Sequence, residues 1–197
     1  MNPPRGRSTA TRGVFAIEDS ALVLPRRIAL DTSLVVRAVI ESQPLHAACS
    51  SFIDRLVEAE VTLVLSELVE IELAEAAFGI ALKERWGGDW RRHRRDGRVR
   101  RRAQRLLVDV RSRYQLLLDS TDHLTVPIAP VAHDAAVLMT SYGLASYDAV
   151  HAAGAIAAGA EAIATTDAGF ALLPASLLLI YVDRSRVASC RAARPVR

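Results

Sequence analysis

The chain has 197 residues, 51% hydrophobic and 24% charged, which suits one domain with a buried core and excludes a wholly disordered polypeptide. Its longest uncharged run, residues 168–182, is broken by Pro174 and falls short of the about 18–20 apolar residues that a membrane-spanning helix needs. The first residues carry Arg5, Arg7 and Arg12 without a continuous apolar segment, which speaks against a secretory signal. Cys49 and Cys190 form neither a CxxC pair nor a disulfide framework, so a reducing, cytoplasmic setting is expected.

Taken in chain order, residues 1–27 are rich in Pro, Arg, Ser and Thr and are expected to form an N-terminal arm. Ile28-Ala29-Leu30 reads as a buried strand. Cys49, Phe52, Ile53, Leu56 and Val57 recur at helical spacing. Residues 61–65 form a second apolar run. An Arg-rich insert at about 85–105 follows, in which Trp86-Gly87-Gly88-Asp89-Trp90 leads as an exposed loop into a basic helix. Leu106, Leu107, Val110, Tyr114, Leu117 and Leu118 make another helical stripe. Residues 124–126, 162–164 and 177–182 are further strand candidates, with helices over 135–142 and 149–160. Residues 184–197 read as a basic C-terminal tail. Short continuous apolar runs alternating with amphipathic helices predict an α/β fold. Its parallel sheet of about five strands is flanked by helices across residues 28–183.

The formal net charge of +3 hides an asymmetry. Residues 85–113 hold twelve Arg and three Asp, whereas 28–84 and 114–183 together hold three basic and seventeen acidic groups. Lys83 is the only lysine. Arginine on an acidic body suits a polyanion or an acidic protein partner, because its planar fork makes paired hydrogen bonds to phosphate or carboxylate. A solvated helix face is the competing reading of the same charges.

Ligands of open parallel sheets bind beyond the carboxyl ends of the strands. Asp31-Thr32-Ser33 follows the first strand, and Ser66 with Glu67, Glu70, Glu72 and Glu75 follows the second. Thr165-Thr166-Asp167 follows the fourth, and Asp148 opens a helix after Ser146. Each acid alone can be a cap or a solvated residue. Together, four carboxylates on one edge repel one another unless a cation joins them. Oxygen ligands suit Mg²⁺ or Mn²⁺, and such a centre suits phosphodiester hydrolysis. His151, three residues after Asp148, reads first as a packed or supporting histidine and second as a proton shuttle.

Four segments in this order resemble the motifs of the PIN domain family: Ile28-Ala29-Leu30-Asp31-Thr32-Ser33, Ser66 to Glu72-Leu73, Ser146-Tyr147-Asp148-Ala149-Val150-His151-Ala152, and Ala164-Thr165-Thr166-Asp167-Ala168-Gly169-Phe170. Within that family the likeness is to VapC-type toxins of toxin–antitoxin pairs. The resemblance implies a PIN-like α/β/α sandwich and a Mg²⁺- or Mn²⁺-dependent endoribonuclease. It implies Asp31, Glu72, Asp148 and Asp167 as catalytic metal ligands, with Ser33 and Thr165 as polar support. It also implies an RNA substrate, a cognate antitoxin protein and a homodimer. Arg91, Arg92, Arg94 and Arg95 are the expected RNA contacts, with Trp86 and Trp90 beside them able to pack or to stack on bases. The alternative is a catalytically silent PIN-like module that binds RNA or protein.

Overall fold

A computed structural model describes residues 13–87 and 93–195. In chain order its elements are β1 (Val14–Ala16), β2 (Arg27–Leu30), α1 (Thr32–Val39), α2 (His46–Glu58), β3 (Thr62–Ser66), α3 (Leu68–Trp86), α4 (Gly97–Asp119), β4 (His123–Val126), α5 (Ile128–Tyr142), α6 (Ser146–Ala157), β5 (Ala162–Ala164), β6 (Leu179–Val182) and α7 (Val187–Ala193). The strands form one sheet in the order β1-β6-β5-β2-β3-β4, and every neighbouring pair is parallel.

The pleat sorts the strand side chains between two cores. Ile28, Leu30, Leu63, Leu65, Ala162, Ala164 and Tyr181 face the layer of α1 to α4, where they meet Leu34, Phe52, Leu56, Leu73 and Tyr114. Ala29, Val64, Ile163, Ile180 and Val182 face the opposite layer, against Val131, Ala135 and Leu138 of α5, Ala149 and Ala152 of α6, and Cys190 of α7. Successive residues therefore serve opposite faces, and both faces are apolar. Ala149, Ala152, Ala153 and Gly154 let α6 lie close to the sheet, with Val126 against Gly154.

The sheet has six strands, against an expectation of about five. The additional one, β1, comes from residues expected to be a loose arm. Ile17 donates its amide to Val182 O at 2.8 Å, and Ile180 donates to Gly13 O at 2.8 Å. Tyr181 lies between Phe15 and Phe52, at centroid separations of 5.3 and 5.8 Å, and its hydroxyl donates to Val23 O. The composition of 1–27 concealed this short apolar stretch among prolines and arginines; residues 1–12 lie outside the described residues. The basic tail likewise contains a helix. Cys190 of α7 is fully buried, and the Arg194 guanidinium donates to the carbonyls of Gly13 and Leu178. Its cation thus seals the β1 end of the sheet rather than facing solvent.

The order also fixes a switch point. From central β2 the chain builds outward through β3 to β4, then returns to place β5 on the other side of β2. α1, leaving the carboxyl end of β2, packs on one face, whereas the Gly169–Leu172 turn after β5 packs on the other, and a crevice opens between the two strand ends.

Candidate active site

Asp31 directly follows β2 and caps α1, where its side chain accepts from the Ser33 amide at 3.3 Å. Capping alone explains an aspartate here. It does not explain the surrounding hydroxyls. Thr165, at the end of β5, donates to Asp31 Oδ2 at 2.7 Å, and the Ser33 hydroxyl donates to the same oxygen. Ser33 Oγ in turn accepts from the Thr166 amide at 3.0 Å, and Thr165 Oγ1 accepts from the Asp167 amide at 2.9 Å. The two strand ends are stitched across the switch point through a carboxylate that is only 5% exposed.

Glu72 reaches the same crevice from the second turn of α3. Thr32 Oγ1 donates to its Oε2 at 2.5 Å, and His151 Nε2 lies 2.7 Å from that oxygen. His151 Nε2 also stands 3.9 Å from Asp31 Oδ1. The neighbouring acids of α3 are committed elsewhere. Glu67 accepts from the Ile128 amide, Glu70 pairs with Arg111 at 3.0 Å, and Glu75 pairs with Arg94 at 3.1 Å. Among these four glutamates, geometry therefore singles out Glu72 as the one turned toward Asp31.

Asp148 stands in the first turn of α6, beside Asp167. A Cβ built on Gly169 would lie 2.5 Å from Asp148 Oδ2 and 3.9 Å from Asp167 Oδ1. Asp167 Oδ1 accepts from the Gly169 amide at 3.1 Å. Asp148 accepts no hydrogen bond from a described residue. Burial, then the charges of Asp31, Asp167 and Glu72 against the opposing pull of His151, push its carboxyl up to about 6. Burial alone would lower His151. Its hydrogen bond to Glu72 and the charges of Asp31, Glu72 and Asp148 outweigh that and hold it above the ordinary value.

The six residues expected at the site, Asp31, Ser33, Glu72, Asp148, Thr165 and Asp167, thus share one crevice. As the side chains stand, no three carboxylate, histidine or cysteine groups among the described residues close into a ready coordination shell. The donor chemistry nevertheless fits a hard cation. Asp31 Oδ1, Glu72 Oε1 and the Asp148 carboxylate have no hydrogen-bond donor among the described residues, and His151 is the cation that opposes their mutual charge.

Two contributors were missed in the sequence. Thr32 lay between two residues of greater apparent interest, although a hydroxyl one residue past the cap was legible as a donor. Gly169 carries no side-chain chemistry that a sequence reading can pick out, yet its missing side chain is the space that Asp148 occupies. His151 takes the supporting place expected first, because it is 4% exposed and bound to Glu72.

The expected RNA contacts divide differently. Arg91, Arg92 and Trp90 lie outside the described residues. Arg94 forks onto both oxygens of Glu75, and its guanidinium lies over Phe78 at 5.1 Å, lining a groove of about 1000 Å³ that leads from Thr32 and Glu72 between α1 and α3. Arg95 is exposed. Trp86 stacks on His93 at 3.8 Å and donates to Asp96, so its ring face is already engaged on one side.

The family model for the PIN domain matches residues 28–175, about three quarters of the chain. No curated protein matches the sequence. The chain belongs to the PIN domain family, whose members are typically metal-dependent nucleases.

Proposed function

We propose that this PIN-domain chain is a divalent-metal-dependent endoribonuclease and the toxin of a VapC-type toxin–antitoxin pair. The observation that carries the nuclease reading is the acidic cluster at the switch point, where burial and the charges of Asp31, Asp167 and Glu72 push Asp148 up to about 6. The toxin reading is supported by the likeness of the four motifs, and a cognate antitoxin and a homodimer follow from that likeness alone.

In this reading Asp31, Glu72, Asp148 and Asp167 hold Mg²⁺ or Mn²⁺. The bound cation supplies positive charge to the scissile phosphate and acidity to water. Ser33 and Thr165 lock Asp31 by occupying Oδ2, which leaves Oδ1 for the cation. Thr32 and His151 do the same for Glu72 at Oε2, leaving Oε1. Orienting partners of this kind keep ligands from searching other rotamers. Asp148 would contribute its negative charge to that site in its ionised form. The groove beside Glu72, walled by Ile71, Phe78 and Tyr147, offers apolar surface to unpaired bases.

The test is cleavage of single-stranded RNA by the purified chain. Cutting with Mg²⁺ or Mn²⁺, its loss in EDTA, and a drop of at least about a hundredfold in Asp31→Asn and Asp148→Asn are expected, with circular dichroism unchanged. RNA binding without cleavage under any divalent metal would instead identify a silent binding module.

A further inference from the structure

Seven arginines lie on α4, and the structure separates them into two groups. Arg102 pairs with Glu84 at 3.0 Å, Arg111 with Glu70 at 3.0 Å and Arg113 with Glu41 at 2.8 Å. These three bind the helix to α3 and to the chain beyond α1. Arg98, Arg100, Arg101 and Arg105 are exposed and make no ion pair with a described residue. The buried line of α4 is Val99, Ala103, Val110, Tyr114 and Leu117. At about 100° per residue, Arg98, Arg101 and Arg105 fall on the side away from that line, at i, i+3 and i+7. The row is about 10 Å long at the helical rise per residue. None of these side chains lines the groove beside Glu72.

We propose that this outward row, Arg98, Arg101 and Arg105 with Arg100 beside it, holds the backbone of single-stranded RNA at a surface separate from the carboxylate crevice. The proposal rests on the reading that the substrate is RNA, and not on the roles given to the carboxylates. A polyanion approaching this molecule meets an acidic body and, in the crevice, four carboxylates. A cationic row outside the crevice retains the strand while a single phosphate enters. Arginine forks suit that task, because each grips a phosphate through paired donors. An acidic protein would meet the same charges, but a carboxylate crevice gives it nothing to approach. The helix is held rigidly for this use. Asp96 caps it at the Arg98 amide, and Arg85 in turn holds Asp96 at 2.7 Å.

The experiment is anisotropy of a fluorescent oligouridylate with the full chain, in EDTA, over a range of salt. Arg98→Gln/Arg101→Gln/Arg105→Gln should weaken binding roughly tenfold at low salt and flatten the log–log salt slope by about two. The lysine triple at the same positions should keep most of the slope. A control with the same change of charge, Arg102→Gln/Arg111→Gln/Arg113→Gln, should keep the wild-type slope, because those side chains are engaged by glutamates. Circular dichroism checks that all variants fold. An unchanged slope in the first variant overturns the proposal, as does an equal loss in the control, which would reduce the effect to net charge. Absence of any RNA binding by the wild-type chain also overturns it, and so does loss of polyglutamate binding with RNA binding intact. The assay contains no divalent cation, so a failure of metal-dependent cleavage does not alter its outcome.

Discussion

Glu72 shows how a flexible side chain is held in one position. It has more rotatable bonds than an aspartate, and Thr32 and His151 hold one of its oxygens from two sides. His151→Ala is expected to weaken Mn²⁺ binding by roughly 10–100-fold, measured by calorimetry, with a smaller loss in His151→Gln, whose amide can still donate. Equal losses in both variants would assign His151 to packing alone. Gly169→Ala places a methyl group against Asp148 Oδ2 and should impair cation binding while changing the melting temperature little.

Asp148 also sets a pH dependence. Its carboxyl titrates near 6 in the fold against 3.8 in a free chain, so between about pH 4 and 6 the folded protein keeps a proton that the unfolded chain has released. That stabilisation is present at low pH and lost as pH rises through about 6. His151, raised above 6.5, acts in the same direction at higher pH. Without metal, raising the pH from 4 to 7 should therefore cost on the order of 1–2 kcal/mol from Asp148, after discounting for its partial exposure. Saturating Mg²⁺ should offset the loss. A metal-free protein whose stability rises through this window would contradict the environment assigned to Asp148.

At the scale of elements, the edges of the sheet depend on segments that composition disguised. β1 covers β6, and Arg194 of the tail ties Gly13 to Leu178. Deleting residues 1–19 bares the edge of β6 and uncovers Tyr181. Loss of several kcal/mol and concentration-dependent association are expected, read by thermal melting and sedimentation. The central strands were legible because burial on both faces demands continuous apolar runs, as in Ile28-Ala29-Leu30 and Ala162-Ile163-Ala164. β1 was not, because its Val14-Phe15-Ala16 is too short to stand out from a polar flank. α7 was hidden by arginines, one of which is buried against backbone carbonyls rather than solvated.

Across the whole molecule, the proposed RNA path joins an acidic crevice to a cationic helix face, and the two carry opposite charge. Asp31, Asp148 and Asp167 were visible as strand-end and helix-start acids, since sheet topology forces such positions toward one edge. The choice of Glu72 over Glu70 and Glu75 was carried by the family spacing and not by the helix pattern, which presents all three. Only the ion pairs to Arg111 and Arg94 occupy its neighbours. The same ion pairs decide which arginines remain available, a distinction that charge counting cannot make. No helix of the described residues is long and apolar enough to cross a membrane.

The most direct measurement is a calorimetric titration of metal-free protein with Mn²⁺, repeated for Asp148→Asn and Asp31→Asn. Binding by the wild-type chain, accompanied by proton release near pH 6 and lost or weakened at least tenfold in both variants, is the expected result. Equal Mn²⁺ affinity in all three proteins would contradict the assignment of this crevice as a cation centre.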